Sequence, residues 1–161
     1  MTSSDLSQLI REFYLERVAL LMRHENTATI VTPYDINNAY QYVIAREETH
    51  LSWLQHALVD LGTEIPADPP RPAAPPRAKG AWAAEAAEDA RLQRAFVERW
   101  RPRVEAVTHA RHKAMLKIVL GEMLEHERIF AQAAAGRTDL IGTHLAINER
   151  RGDVLPTRWV E

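Results

Sequence analysis

The sequence contains no cysteine. This absence excludes disulfide bridges, thiolate metal sites, cysteine-ligated iron centres and cysteine nucleophiles. Any bound metal ion must therefore use Glu, Asp and His side chains. Lysine is also scarce, at 3 of the 20 basic residues, and the formal net charge is −2. Such a near-neutral balance gives no electrostatic support for nucleic-acid binding.

Long apolar runs are absent as well. No charge-free stretch approaches the ~20 residues that span a bilayer. The N-terminus lacks the basic start and apolar run of a signal peptide. We therefore expect a cytoplasmic protein with no membrane partner. Its 161 residues suit one compact domain.

Apolar residues recur with helical spacing in the first third of the chain. Helix A is predicted over about 5–27, because its apolar positions form one face. Thr32 can cap the next helix, with Pro33 at the first helical position, where its missing N–H group costs nothing. Helix B then runs to Gly62, which is suited to the C-terminal cap.

A proline-rich connector separates the two halves of the chain. Residues 66–76 hold six of the nine prolines, so they favour an extended conformation of ~3.1 Å per residue. The whole segment 62–80 is therefore long enough to run the length of a helical bundle. A linker between two domains is the alternative, but each half alone is only a helical hairpin, too small to be a stable domain.

The second half repeats the helical pattern. Helix C follows Gly80 and is interrupted at Pro102, which either begins a long helix D or kinks a continuous helix, and helix D ends at Gly136. The remainder, 137–161, is expected to be a tail with one short helix around 140–149 and an apolar end that docks on the bundle or on a partner. The sequence thus predicts an all-α, antiparallel four-helix bundle over 1–136, made of two hairpins joined by a long crossover.

Charged residues interrupt the apolar faces. Glu47 and His50 are three residues apart on the face of helix B that should be buried. A buried carboxylate needs a cation, a hydrogen-bond network or a metal ion. Glu16 lies on the apolar face of helix A, and the midpoint between it and Glu47 falls in the A–B turn. An antiparallel hairpin would therefore bring the two carboxylates to the same height.

The second hairpin offers a similar set. Asp89 lies on the apolar face of helix C, with Glu88 as a competitor, and 33 residues separate Asp89 from Glu122 in helix D. His126 follows Glu122 by four residues instead of three. Two arrangements would restore a site: Glu125 replaces the second histidine, or a π-bulge brings Glu122 and His126 into line.

This pattern resembles the ferritin-like superfamily, including rubrerythrins and bacterioferritins. The resemblance covers about 5–135 and implies two antiparallel helix pairs that hold two irons through Glu and Glu-x-x-His ligands. It implies two iron or manganese ions, dioxygen or peroxide as the small-molecule substrate, and oxidase or peroxidase chemistry. The metal ligands it implies are Glu16, Glu47, His50, Asp89, Glu122, Glu125 and His126.

Other functions fit the same pattern. A degenerate, metal-free bundle would use Glu47 and His50 in a buried polar network and act as a structural or partner-binding protein. Iron storage would require an assembly that the sequence does not reveal. An exposed apolar face would favour a homodimer.

Overall fold

A computed structural model describes residues 2–141 of the chain. They form four α-helices and, within that range, no β-strand. The predicted all-α four-helix bundle is therefore confirmed, whereas the apolar end of the tail and all but the start of the predicted 140–149 helix lie outside the described residues. The helices are α1 (Ser3–Ala28), α2 (Tyr34–Asp60), α3 (Ala81–Glu105) and α4 (Ala110–Ala134).

Two antiparallel hairpins, α1–α2 and α3–α4, pack side by side. Ion pairs along the α1–α3 boundary show that these helices also run antiparallel: Glu12 pairs with Arg103 near one end, and Arg23 pairs with Asp89 nearer the other. Because α1 is antiparallel to both α2 and α3, those two helices run in the same direction. The chain that joins them must return along the whole bundle.

The proline-rich connector makes that return. Residues 61–80 are non-helical and are held against α1 at two points. The side-chain amide of Asn26 donates to the carbonyl oxygen of Pro72 at 2.8 Å, and Arg71 pairs with Glu25 at 2.7 Å. The predicted long crossover is confirmed.

Two predicted helix boundaries are wrong. Helix α2 begins one residue later than expected, with Pro33 itself at the N-cap and no side-chain cap from Thr32. Pro102 does not interrupt α3, which continues through it to Glu105. It lies in the last turn, so the lost hydrogen bond and the ring are accommodated close to the helix end.

Aromatic side chains form one apolar layer of the core. The ring of Phe13 meets the rings of Phe96 and Trp100 edge-on, at centroid distances of 5.0 and 4.9 Å. Further along the bundle, Tyr40 and Phe130 pack at 4.8 Å. These apolar layers surround a central layer that is polar.

Candidate functional site

Glu47 lies at the centre of the polar layer and is fully buried. Its Oε1 accepts hydrogen bonds from Arg17 Nη2 at 3.2 Å and from Gln93 Nε2 at 2.9 Å. Its Oε2 accepts one from His24 Nδ1 at 2.7 Å. Both carboxylate oxygens are thus engaged by side chains from α1 and α3.

The surrounding charges keep Glu47 ionised. Burial alone would raise the pKa of the Glu47 carboxyl, but the interactions with His24 and Arg17 outweigh that effect and hold the pKa well below its usual range. A buried carboxylate with this neighbourhood is compensated without any metal ion. The sequence prediction that Glu47 is buried and needs a partner is confirmed, and the partner is an arginine.

His126 of α4 is buried beside this pair. Its ring stacks against the ring of His50 at a centroid distance of 6.1 Å and an interplanar angle of 19°. Burial lowers the pKa of His126 to about 4, against the opposing pull of Glu47. Burial also lowers the pKa of His50. Both imidazoles are therefore neutral at pH 7.

Glu122 lies at the margin of the polar layer, with about a quarter of its side chain exposed. Arg46 donates to both of its oxygens, at 3.0 and 2.7 Å, and His50 Nε2 donates to Oε2 at 3.0 Å. The hydrogen bond from Arg46 is the main reason that the pKa of Glu122 lies below its usual range. Helix α4 is regular from end to end, so the expected π-bulge is wrong.

Asp89 is fully buried but belongs to a second, separate cluster. Its Oδ1 accepts from Arg23 Nε at 2.7 Å, and its Oδ2 accepts from the Tyr40 hydroxyl at 2.8 Å. Arg23 also donates to Glu85 at 2.6 Å. Burial, and then the Asp89 charge, raise the pKa of Tyr40 far above its usual range, so this hydroxyl remains a donor. The competitor Glu88 lies on the surface and pairs with Arg91.

Two predicted ligands point away from the core. Glu16 is partly exposed, pairs with Arg99, and accepts a hydrogen bond from Trp100 Nε1 at 3.1 Å. The expectation that it faces Glu47 is wrong, because the inward position one residue later is taken by Arg17. Glu125 is exposed on α4, so it does not replace a histidine in the polar layer.

Four of the five carboxylates of the expected two-metal site are each engaged by a different arginine, and the fifth, Glu125, is exposed. Two divalent ions carry four positive charges and need about four free carboxylates. In this layer Glu47 is the one fully buried carboxylate among the described residues, and the guanidinium of Arg17 already neutralises it. Among residues 2–141, no group of three or more His, Asp or Glu side chains is arranged to hold a metal ion. In this arrangement the residues do not fit a two-metal centre. The pairs are Glu16–Arg99, Glu47–Arg17, Asp89–Arg23 and Glu122–Arg46.

The inward-facing side chains explain the poor fit. At the level of Glu47, α1 presents Arg17 and α3 presents Gln93, both fully buried. In α4 the residue three before His126 is Met123, which is also fully buried. The polar layer thus holds arginine, amide and thioether groups where a di-metal site would need carboxylates. Helix phase does indicate Arg17 as an inward position, because it follows Phe13 by four residues and precedes Leu21 by four.

Several buried polar atoms of this layer have no hydrogen-bond partner among the described residues. They are Arg17 Nε and Nη1, His24 Nε2, His50 Nδ1, Gln93 Oε1 and His126 Nδ1. All six belong to side chains in or next to the Glu47 cluster. The set mixes donors, an acceptor and imidazole nitrogens, which is the mixture that ordered internal water satisfies.

Comparison with known protein families, with curated proteins and with solved structures gave no match to this chain. Within residues 2–141, every helix is too short or too polar to cross a membrane.

Proposed function

We propose that the protein is a metal-free helical bundle that acts as a structural or partner-binding protein. The observation that carries this proposal is the pairing of four of the five expected carboxylate ligands, each with its own arginine. A divalent ion at Glu47 would have to displace a buried guanidinium, or lie beside it in a medium that screens charge poorly. Both alternatives are costly.

The polar layer has a structural role in this proposal. Its hydrogen bonds connect Glu47 of α2 to Arg17 of α1 and Gln93 of α3, and His50 connects α2 to Glu122 of α4. A one-turn slip of any helix would leave a buried charge without its partner. Buried ionic groups are therefore a means of fixing helix register, even where they add little to stability.

Metal analysis tests this proposal directly. The protein would be produced in medium supplemented with iron or manganese, incubated with excess Fe(II) under nitrogen, desalted and analysed by mass spectrometry of the elements. We expect a metal content far below one ion per chain, and the same content in a Glu47→Gln variant. Close to two ions per chain in the natural protein, lost in Glu47→Gln, would overturn the proposal.

A di-metal oxidase or peroxidase is the second candidate, and one observation favours it. Buried imidazole nitrogens of His24, His50 and His126 have no partner among the described residues, and neutral imidazole is a common ligand for iron and manganese. The same metal analysis decides between the two candidates. Oxidase or peroxidase activity would be assayed only on protein that retains metal.

A further inference from the structure

The outer face of α4 has an exposed surface that the bundle itself does not use. Ile118, in the middle of this face, is 52% exposed. A Cβ atom built on Gly121 would meet nothing within 4 Å, so this glycine is not needed for packing inside the bundle. The residues of the α4 outer face, all exposed, are Ala114, Lys117, Ile118, Gly121, Glu125 and Arg128.

A glycine in mid-helix requires an explanation. It is among the poorest helix formers, because it has more backbone freedom to lose. In α4 it does not interrupt the helix, which is continuous from Ala110 to Ala134, and a Cβ atom at this position would have free space around it. The remaining physical use of a missing side chain on a helix surface is the close approach of another chain.

The charges on this face are arranged symmetrically about Gly121. Lys117 lies four residues before it and Glu125 four residues after it, each ~6 Å along the helix axis. If two copies of α4 meet antiparallel with a twofold axis at Gly121, Lys117 of one chain lies at the height of Glu125 of the partner subunit. The twofold axis then generates the same pair a second time.

Apolar residues follow the same symmetry. Ile118 lies three residues before Gly121, and Leu124, which is partly buried against the core of its own bundle, lies three after it, so the two come to the same height across the axis. Within residues 2–141 Glu125 makes no ion pair, and Lys117 forms an ion pair with Glu105, at 2.9 Å, in which both side chains are about half exposed. Such an exposed pair is weak, so it does not compete strongly with a contact between chains.

We propose that two copies of this chain form an antiparallel, twofold symmetric dimer through the α4 outer face, with Gly121 at the axis. The self-complementary charges indicate that the partner is a second copy of this chain. The face carries both members of the ion pair at matched heights, as an interface between identical chains requires. This inference identifies the partner that the proposed function leaves open. If the protein proves to be a monomer, the proposal of a metal-free polar layer still stands. If metal binds in the polar layer, the proposal of a dimer through α4 still stands.

Mass measurement is the first test. Sedimentation equilibrium of the full chain is expected to give twice the monomer mass of 18.3 kDa at micromolar concentration. A purely monomeric protein at about 100 μM, a concentration at which even weak homodimers associate, would overturn the proposal. That result includes the case in which the residues after 141 cover this face.

Charge reversal tests the pairing and its register. Lys117→Glu and Glu125→Lys should each weaken dimerisation by about tenfold or more, because like charges then face each other twice. The double variant Lys117→Glu/Glu125→Lys restores opposite charges across the axis and should return to within about threefold of the natural protein. A double variant no better than the single ones would overturn the antiparallel arrangement.

A single cysteine tests the position of the axis. The natural chain has none, and a side chain at position 121 meets no obstacle within its own bundle. Gly121→Cys should form a covalent dimer rapidly under mild oxidation. The control Ala131→Cys is also exposed on α4, but in this arrangement its two copies lie ~30 Å apart. Equal rates for the two variants, or no cross-link at position 121, would overturn the proposal.

Discussion

The guanidinium of Arg17 and the carboxylate of Glu47 lie 3.2 Å apart in the middle of the bundle, and neither side chain has any exposed surface. The pair connects the two helices of the first hairpin. Its consequences for stability differ from those of a surface ion pair, because each charge was taken out of water to make it. Removing one partner leaves the other charge without compensation.

Replacing Arg17 alone should therefore be severe. We expect Arg17→Met to lower the free energy of unfolding by roughly 3–5 kcal/mol, measured by urea denaturation at pH 7. Arg17→Met/Glu47→Met removes both charges and should cost much less than the sum of the two single variants. Additive losses would show that the two side chains do not interact. The exposed pair of Arg91 with Glu88 is the matched control, and Arg91→Met should have no measurable effect.

Acid should destabilise the protein through His126. Its pKa is about 4 in the folded state, against 6.5 as the ordinary value, so the unfolded chain binds the proton first as the pH falls. Stability is then complete above pH 6.5 and declines by ~1.4 kcal/mol per pH unit down to pH 4, roughly 3 kcal/mol in total. Below the ordinary Glu47 value of 4.5, protonation of that carboxyl in the unfolded chain adds a further loss with the same sign.

The variant His126→Gln isolates this contribution. It removes the titrating group, so the dependence of the urea midpoint on pH between 6.5 and 4 should become shallower by the equivalent of about one proton. His56, which is exposed on α2, provides the control, and His56→Gln should keep the natural slope. An unchanged slope in His126→Gln would show that the histidine does not titrate differently in the folded and unfolded states.

The second buried cluster gives an independent stability prediction. Tyr40 donates to Asp89 at 2.8 Å in a fully buried contact. Tyr40→Phe keeps the ring but leaves one carboxylate oxygen without that donor, and we expect a loss of about 1–3 kcal/mol in urea denaturation. Tyr42 is 45% exposed on the same helix, so Tyr42→Phe should be neutral. Equal effects of the two substitutions would mean that the buried hydrogen bond is not responsible.

The fold was accessible from the sequence because its main signals are local and repeated. The apolar period of 3.6 residues marks each helix, and the proline-rich segment 66–76 can only be an extended connector. The heights of the site residues also followed, since a turn midway between positions 16 and 47 sets the register of the first hairpin. The helix ends were less accurate, because proline is tolerated both at the N-cap and in a last turn.

The composition of the polar layer was predicted less well. The error lies in the direction of the side chains around the helix axis and not in their position along it. Adjacent residues on a helix differ by ~100° in direction, so choosing Glu16 in place of Arg17 rotates the site out of the core. The same error moves the inward position from Met123 to Glu122. Metal ligands are recognisable by residue type, whereas a buried arginine has no such signature until its partner is known.

Two histidines, one helical turn apart at the start of α4, provide a further test. The Nδ1 atom of His109, the N-cap residue, accepts a hydrogen bond from the backbone N–H of His112 and lies 2.8 Å from His112 Nδ1. Losing an N-cap typically costs ~1 kcal/mol. His109→Leu should therefore lower the free energy of unfolding by about this amount, whereas His109→Asn, whose side-chain oxygen can accept the same bond, should stay close to the natural protein. If both substitutions destabilise equally, the contribution of His109 comes from its imidazole pair with His112 and not from the helix cap.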